Sequence, residues 1–184
     1  MAFLIKLKTY SSIYKGGVLL LPLLLSINLS FAGGATLNDV MQGHFPKCKI
    51  EKKMIYLSEE ELQKASSLSE LKIDTGIVMS FLVQCEKEMI HAYIDSQVVR
   101  THTQSMLIAV KNQSIERIRT LNFQEPVEYK APKRWLDLFK SKILNGDLHL
   151  KKSIDVVSGA TLTSKSTVIS ARRILAIDKV AYKK

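Results

Sequence analysis

Apolar residues at helical spacing predict two helices near the start of the folded part of the chain. The segment "TLNDVMQGHF" has one apolar helix face, with Thr36 or Asn38 available as the N-terminal cap and Pro46 placed to end the helix. Further along, Ser58 and Glu61 stand in the spacing of a capping box, which favours the start of a second helix. The segment "KIEKKMIYL" between the two helices predicts a strand.

Four further strands are predicted in the middle of the chain, where β-branched and apolar runs are joined by short polar connections such as "EKE" and "NQS". These strands are Ile77–Gln84, Met89–Asp95, Met106–Lys111 and Ile115–Asn122. Connections this short favour an antiparallel meander.

Helical spacing returns in the last third of the chain. In "APKRWLDLFKSKI" helical spacing resumes through Trp135, Leu138, Phe139 and Ile143, with Pro132 in the first turn. The segment "HLKKSIDVVSGA" predicts a short extended stretch. The segment that follows it, "LTSKSTVISARRILAIDKV", predicts the last helix of the chain. In that helix the pattern predicts Val168, Ala171, Ile174, Leu175 and Ala176 inward and Lys165, Arg172, Arg173 and Lys179 outward. The predicted fold is α+β, a single domain in which helices pack against a small twisted antiparallel sheet.

Residues 1–32 have the pattern of a signal peptide. Lys6, Lys8 and Lys15 precede an apolar run, no acidic residue occurs before Asp39, and small residues precede a cleavage point after Ala32. The alternative is an uncleaved anchor, but the apolar run is shorter than the roughly 20 residues that a spanning helix needs. We therefore expect a periplasmic or other extracytoplasmic protein, or one anchored by its N-terminus and facing the periplasm. The remaining chain divides into an N-terminal helix-strand-helix part, residues 33–88, and a core, residues 89–184.

Charge and histidine spacing argue against several functions. Of the 27 Lys and Arg in the chain, three precede residue 33, and the 24 that remain against 17 Asp and Glu give a net charge of +7. The basic residues are scattered among acidic ones and do not form the clustered stripe that is typical of a nucleic-acid-binding surface. A basic surface of this kind would suit an acidic redox partner. The four histidines, at positions 44, 91, 102 and 149, have no metal-binding spacing, and no carboxylate pair or Ser-His-Asp order supports hydrolysis.

Two cysteines, Cys48 and Cys85, would reach an oxidising compartment if the chain is exported. A disulfide and a buried thiol at Cys85 are both open on the sequence alone. The spacing fits neither a zinc site nor a dithiol motif.

The stretch "DVVSGATLTS", residues 155–164, carries the candidate chemistry. Gly159 permits a tight turn, and Ala160 keeps bulk away from the hydroxyl of Thr161. Thr161, Thr163 and Ser164 fall near the start of the closing helix, where unpaired N–H groups and the helix dipole favour an anion such as phosphate. The structural alternative is that Thr163 or Ser164 is only the cap of that helix.

The residues "D-V-V-S-G-A-T" resemble the D-x-x-[ST]-G-A-T flavinylation motif of FMN-binding domains. That family includes the FMN-carrying subunits of sodium-translocating NADH:quinone reductase and small exported FMN-binding proteins. The resemblance implies that an FAD-dependent flavin transferase joins the phosphate of FMN to Thr161. The other cofactor-binding residues that the resemblance suggests are Asp155, Ser158, Gly159, Ala160, Thr163 and Glu125.

The resemblance extends back, with decreasing specificity, to about Met89. Many members have a His-x-Glu-Thr-Pro-Gly-type loop where this chain has "NFQEPVEY", in which only Glu125 and Pro126 match. Among nearby residues, a cation could neutralise the phosphate (Lys151, Lys152, Arg172 or Arg173), and an aromatic ring could pack on the flavin (Tyr129, Trp135 or Phe139). Each of these side chains has an ordinary alternative as a solvated or core residue.

The resemblance implies an electron-transfer flavoprotein without catalytic residues of its own, acting as a carrier or redox subunit. Its partners would be the flavin transferase and a membrane redox protein or cytochrome, with no nucleic acid and no metal. The alternative is an accessory domain of a membrane redox complex that keeps the fold and binds no flavin.

Overall fold

The computed structural model describes residues 36–182, which form one five-stranded antiparallel sheet with helices packed on it. The strands lie in the order β1-β2-β3-β4-β5, so each pairs with its neighbour in the sequence. Their bounds are β1 Lys49–Tyr56, β2 Ile77–Cys85, β3 Glu88–Val98, β4 Thr103–Lys111 and β5 Ser114–Phe123. The predicted α+β class and the meander are confirmed. The predicted signal peptide, residues 1–32, lies outside the described residues.

The helices begin close to the predicted positions, and the first two begin at the predicted caps. They are α1 Leu37–His44, α2 Glu59–Ser69, α3 Lys133–Leu136 and α4 Thr161–Ala181. Thr36 caps α1, and in α2 the Ser58 hydroxyl accepts the N–H of Glu61 while the Glu61 carboxylate accepts the N–H of Ser58. Both caps satisfy N–H groups that would otherwise lack partners.

The helix predicted over residues 132–143 is much shorter than expected. After α3 a single 3₁₀ turn, Asp137–Phe139, follows, and Ser141 then takes a left-handed φ of 63°. The Ser141 N–H donates to the Ile115 carbonyl at 2.7 Å, and the Ile115 N–H donates to Lys142 at 2.9 Å. Because these bonds tie the segment to the open edge of β5, the backbone leaves the helix, and Leu138 and Ile143 are exposed rather than buried.

The sheet is covered on both faces. Alternate residues of β4 enter different clusters. Met106, Ile108 and Val110 face α2 and α4, whereas Leu107 and Ala109 join Met41 of α1 and Phe45, which follows that helix. Since both faces of this strand are buried, it appears in the sequence as an almost continuous apolar run. Helix α4 lies along the larger cluster with all five predicted inward residues buried.

The two cysteines form a disulfide. Lys49 pairs with Gln84 across β1 and β2, which puts Cys48 and Cys85 directly opposite each other, with their Cα atoms 4.5 Å apart. The bond closes the end of this strand pair. No helix among residues 36–182 is long and apolar enough to cross a membrane.

Candidate functional site

The motif residues form a closed loop in front of α4. Gly159 sits in a turn with φ +77°, a conformation that side chains with a Cβ rarely adopt. Ser164 closes the loop, because its hydroxyl accepts the Val157 N–H at 3.1 Å and donates to the Ala160 carbonyl at 3.0 Å. The Ser164 side chain therefore stabilises the loop through hydrogen bonds, and it is not the N-cap of the helix.

Two further hydrogen bonds anchor the loop to the segment that follows β5. The indole N–H of Trp135 donates to the Asp155 carbonyl at 2.6 Å. The Thr163 hydroxyl donates to the Tyr129 carbonyl, also at 2.6 Å. The loop is thus held to this one segment at both of its ends, at Asp155 and at Thr163.

Thr161 is the first residue of α4 and is exposed. Residue Ala160 occupies the N-cap position and offers no side chain to the first-turn N–H groups. Within residues 36–182 the Thr161 hydroxyl makes no hydrogen bond to protein. The helix start consequently combines a free hydroxyl with unpaired backbone donors, which is the environment that favours an anion.

A cleft of about 220 Å³ opens beside Thr161. Three segments line it: the β3–β4 connection, the stretch after β5 and the motif loop. The lining residues are Val99, Arg100, Glu125, Tyr129, Gly159, Ala160, Thr161, Leu162 and Thr163. The cleft brings together five of the seven sequence-predicted binding residues.

Glu125 holds the β3–β4 connection. Its Oε1 accepts the backbone N–H groups of Arg100, Thr101 and His102 at 3.1, 2.7 and 2.8 Å. The N–H groups of His102 and Thr101 contribute most to lowering the pKa of Glu125 to about 2. The carboxylate is 8% exposed and ionised at neutral pH, and it shapes the cleft through the backbone that it binds.

Asp155 and Ser158, the other two predicted residues, are exposed and do not line the cleft. Asp155 contributes its backbone carbonyl, through the bond from Trp135. Val99 and Arg100 line the cleft without having been predicted. The predicted meander could have indicated them, because in a meander the β3–β4 connection and the end of β5 lie at the same end of the sheet.

The aromatic and cationic side chains that the sequence suggested near the flavin differ in their burial. Tyr129 lines the cleft, whereas Trp135 and Phe139 are buried core residues packed edge to face with ring centroids 5.2 Å apart. Lys151 and Lys152 are exposed, and Lys152 donates to the Gly146 carbonyl.

The outward position predicted for Arg172 is wrong. This residue is 2% exposed, and its guanidinium donates to the carbonyls of Ser69 and Asn145 at 2.9 Å. The C-terminal end of α2 and the loop near residue 145 both present carbonyl groups there, and the guanidinium satisfies them. Arg173 is half-buried and pairs with Asp95.

The donors in the cleft fit a phosphate ester. A hydroxyl, a cation at Arg100 and the unpaired N–H groups of the helix start suit a singly charged anion. No group of three or more His, Cys, Asp or Glu that could hold a metal occurs among the described residues.

Comparison with protein families agrees with this chemistry. Residues 102–176, from the end of the β3–β4 connection to α4, match the model of the FMN-binding domain family. No curated protein and no solved structure matches the chain. The segment 102–176 is thus similar to an FMN-binding domain.

Proposed function

We propose that this chain is an exported electron-transfer protein that carries FMN through a phosphoester bond to Thr161. The observation that carries the proposal is the exposed, unbonded Thr161 hydroxyl at the uncapped start of α4. It lies beside a cleft that is lined mostly by the segment similar to an FMN-binding domain. FMN, when bound, supplies reversible uptake of one or two electrons.

The attachment is a phosphoryl transfer with FAD as the flavin donor. The Thr161 oxygen forms a bond to the phosphorus on the flavin side, the pyrophosphate bond breaks, AMP leaves and the hydroxyl proton is released. Nothing is oxidised or reduced. Among the described residues, Glu125 is the only carboxylate that lines the cleft, and with a pKa of about 2 it is a weak base. An external flavin transferase is therefore the proposed source of catalysis.

The size of the cleft favours a carrier over an enzyme with its own substrate pocket. Pockets that bury drug-sized ligands occupy roughly 300–1,000 Å³, more than the 220 Å³ beside Thr161. A flavin held there would stay partly open to solvent. Three exposed apolar residues occur in the segments around the cleft, Val98 at 63%, Val127 at 79% and Leu162 at 48%.

The charges near the cleft favour an acidic redox partner, such as a membrane redox protein or a cytochrome. In residues 98–102, 125–134 and 155–165, the exposed bases outnumber the exposed acids. The bases are Arg100, Lys130, Lys133, Arg134 and Lys165, and the acids are Glu128 and Asp155. Opposite charge on a partner would speed encounter and orient it.

Export is supported by the pattern of residues 1–32 and by the Cys48–Cys85 disulfide, a bond that persists in oxidising compartments. Covalent attachment is compatible with that location, because the cofactor cannot be lost to a dilute surrounding medium.

Mass spectrometry of the exported protein tests the proposal. In a host that coexpresses the flavin transferase, the peptide containing Thr161 should gain one FMN less water, and the N-terminal peptide should begin near Gly33. Thr161→Val, which keeps the side-chain shape, should lose the adduct. Thr75→Val is the matched control, since Thr75 is an exposed threonine outside the cleft. Colourless wild-type protein with unmodified Thr161 would refute flavinylation and favour the accessory-domain alternative.

A further inference from the structure

Arg100 differs from most other arginines of the domain in having no protein partner. Within residues 36–182 its guanidinium makes no hydrogen bond or ion pair, although its backbone N–H is bound by Glu125. Four of the others are engaged: Arg117 with the His44 carbonyl, Arg119 with Asp137, Arg172 with backbone carbonyls and Arg173 with Asp95. Arg134 is exposed and also unpaired, but it lies outside the cleft.

The backbone around Arg100 is fixed although its side chain is free. Glu125 binds three consecutive N–H groups, from Arg100 to His102, and the Val99 N–H donates to the His102 carbonyl at 3.0 Å. Glu125 directs Oε1 to those N–H groups, and its Oε2 lies 3.7 Å from Nδ1 of His102. The carboxylate therefore leaves the guanidinium unpaired and presents it at the cleft.

Arg100 is the only Lys or Arg among the described residues that line this cleft. Thr161 and the uncapped start of α4 line the same cleft. A phosphodiester on the Thr161 oxygen would carry one negative charge. The helix N–H groups alone would leave that charge without a counterion.

We propose that Arg100 binds the phosphate of the flavin attached to Thr161 and is the counterion of that bond. This inference rests on the proposed function. The planar guanidinium can donate two parallel hydrogen bonds to phosphate oxygens, which a lysine cannot do. Arg100 precedes the matched segment 102–176, so the family match does not assign this contact.

Chemical modification of arginine tests the contact without measuring electron transfer. Phenylglyoxal, a reagent for exposed guanidinium groups, is applied to flavinylated wild type and to unloaded Thr161→Val, and each arginine peptide is quantified by mass spectrometry. Modification of Arg100 should be about tenfold slower in the flavinylated protein, because a charge-assisted hydrogen bond must break first. Arg134 should react equally in both proteins.

Substitutions provide the second measurement. With limiting transferase, Arg100→Ala should be flavinylated about tenfold more slowly than wild type, and Arg100→Lys should recover part of the rate. Arg134→Ala is the matched control and should behave as wild type. All three variants replace a side chain at an exposed position, so thermal unfolding of the unloaded proteins should coincide.

The outcomes separate the two proposals. If the adduct forms on Thr161 while Arg100 stays equally reactive and Arg100→Ala loads normally, the counterion role is refuted and the proposed function stands. If wild-type Thr161 never carries flavin, both are refuted.

Discussion

At the residue scale, Glu125 shows how a motif side chain can act through the backbone. The resemblance suggests this residue as a direct cofactor ligand, but its Oε1 is occupied by three N–H groups of the β3–β4 connection. Those bonds place Val99 and Arg100 at the cleft. We infer that Glu125 is a positioning residue.

The lowered pKa of Glu125 predicts a pH-dependent stability. A carboxyl whose pKa falls from 4.5 to about 2 on folding stabilises the folded state above pH 4.5, and that contribution is lost as the pH falls toward 2. Glu125→Gln should be less stable than wild type at neutral pH, because a neutral amide oxygen accepts weaker bonds. The difference in the free energy of unfolding should narrow between pH 4.5 and 2 in urea titrations.

Glu128→Gln is the control for this experiment, since Glu128 is an exposed neighbour. Its free energy of unfolding should stay close to that of wild type across the same range. Parallel pH curves for wild type and Glu125→Gln would contradict the assigned role.

Some residue roles could be predicted from the sequence and others could not. The exposure of Thr161 depends on its neighbours in the chain, Gly159 and Ala160, and on the start of α4. The burial of Arg172 depends on carbonyls of Ser69 and Asn145, which come from distant segments. The helical pattern treats every arginine as an exposed polar residue. It therefore cannot predict a burial that depends on carbonyl groups from distant segments.

At the scale of elements, the loop before α4 depends on one backbone conformation. Gly159 has φ +77°, and a Cβ built there meets no atom within 4 Å. The position is therefore restricted by the backbone and not by crowding. Bonds from Ser164 then fix the loop against the helix.

Substitution of Gly159 should distinguish a restriction by backbone conformation from a restriction by steric crowding. Gly159→Ala should destabilise the domain by about 1–2 kcal/mol, the usual cost of a left-handed conformation for a residue with a Cβ. Gly159→Asn should cost less, since Asn tolerates this region. Thermal or urea unfolding measures both.

Gly146→Ala is the matched control, because a Cβ at Gly146 also meets nothing within 4 Å and its φ is not left-handed. This variant should be close to wild type in stability. Equal stability of the two alanine variants would show that the turn at Gly159 carries no conformational cost.

The elements themselves were predictable where local signals agreed. The capping box at Ser58 and Glu61 and the short polar turns between strands are contiguous in the sequence, and the helix and strands there were predicted correctly. The segment after Pro132 was not, because its backbone exchanges hydrogen bonds with Ile115 at the sheet edge. Helical spacing alone does not reveal this competing partner.

At the scale of the whole molecule, the Cys48–Cys85 bond ties one of the two edge strands, β1, to the sheet. β1 pairs only with β2, and the disulfide joins directly opposite positions at the end of that pair. It closes a loop between positions 37 residues apart in the sequence. The bond therefore limits the freedom of the unfolded chain over β1, α2 and β2.

Reduction of this bond should lower the free energy of unfolding by roughly 4 kcal/mol, the value that chain entropy gives for a loop of this length. Urea titrations with and without reductant measure the change. The double variant Cys48→Ser, Cys85→Ser should resemble the reduced protein and be insensitive to reductant. Equal stability of the oxidised and reduced wild type would contradict a structural role for the bond.

The continuous sheet has a consequence for dissecting the protein. The family-matched segment begins at residue 102, yet β4 is hydrogen-bonded along its length to β3, which precedes that boundary. A fragment cut at residue 102 would expose an apolar strand edge and uncover Leu107 and Ala109, inviting self-association. It would also discard Arg100. Minimal versions of this module for transplantation into other scaffolds should therefore retain the amino-terminal strands.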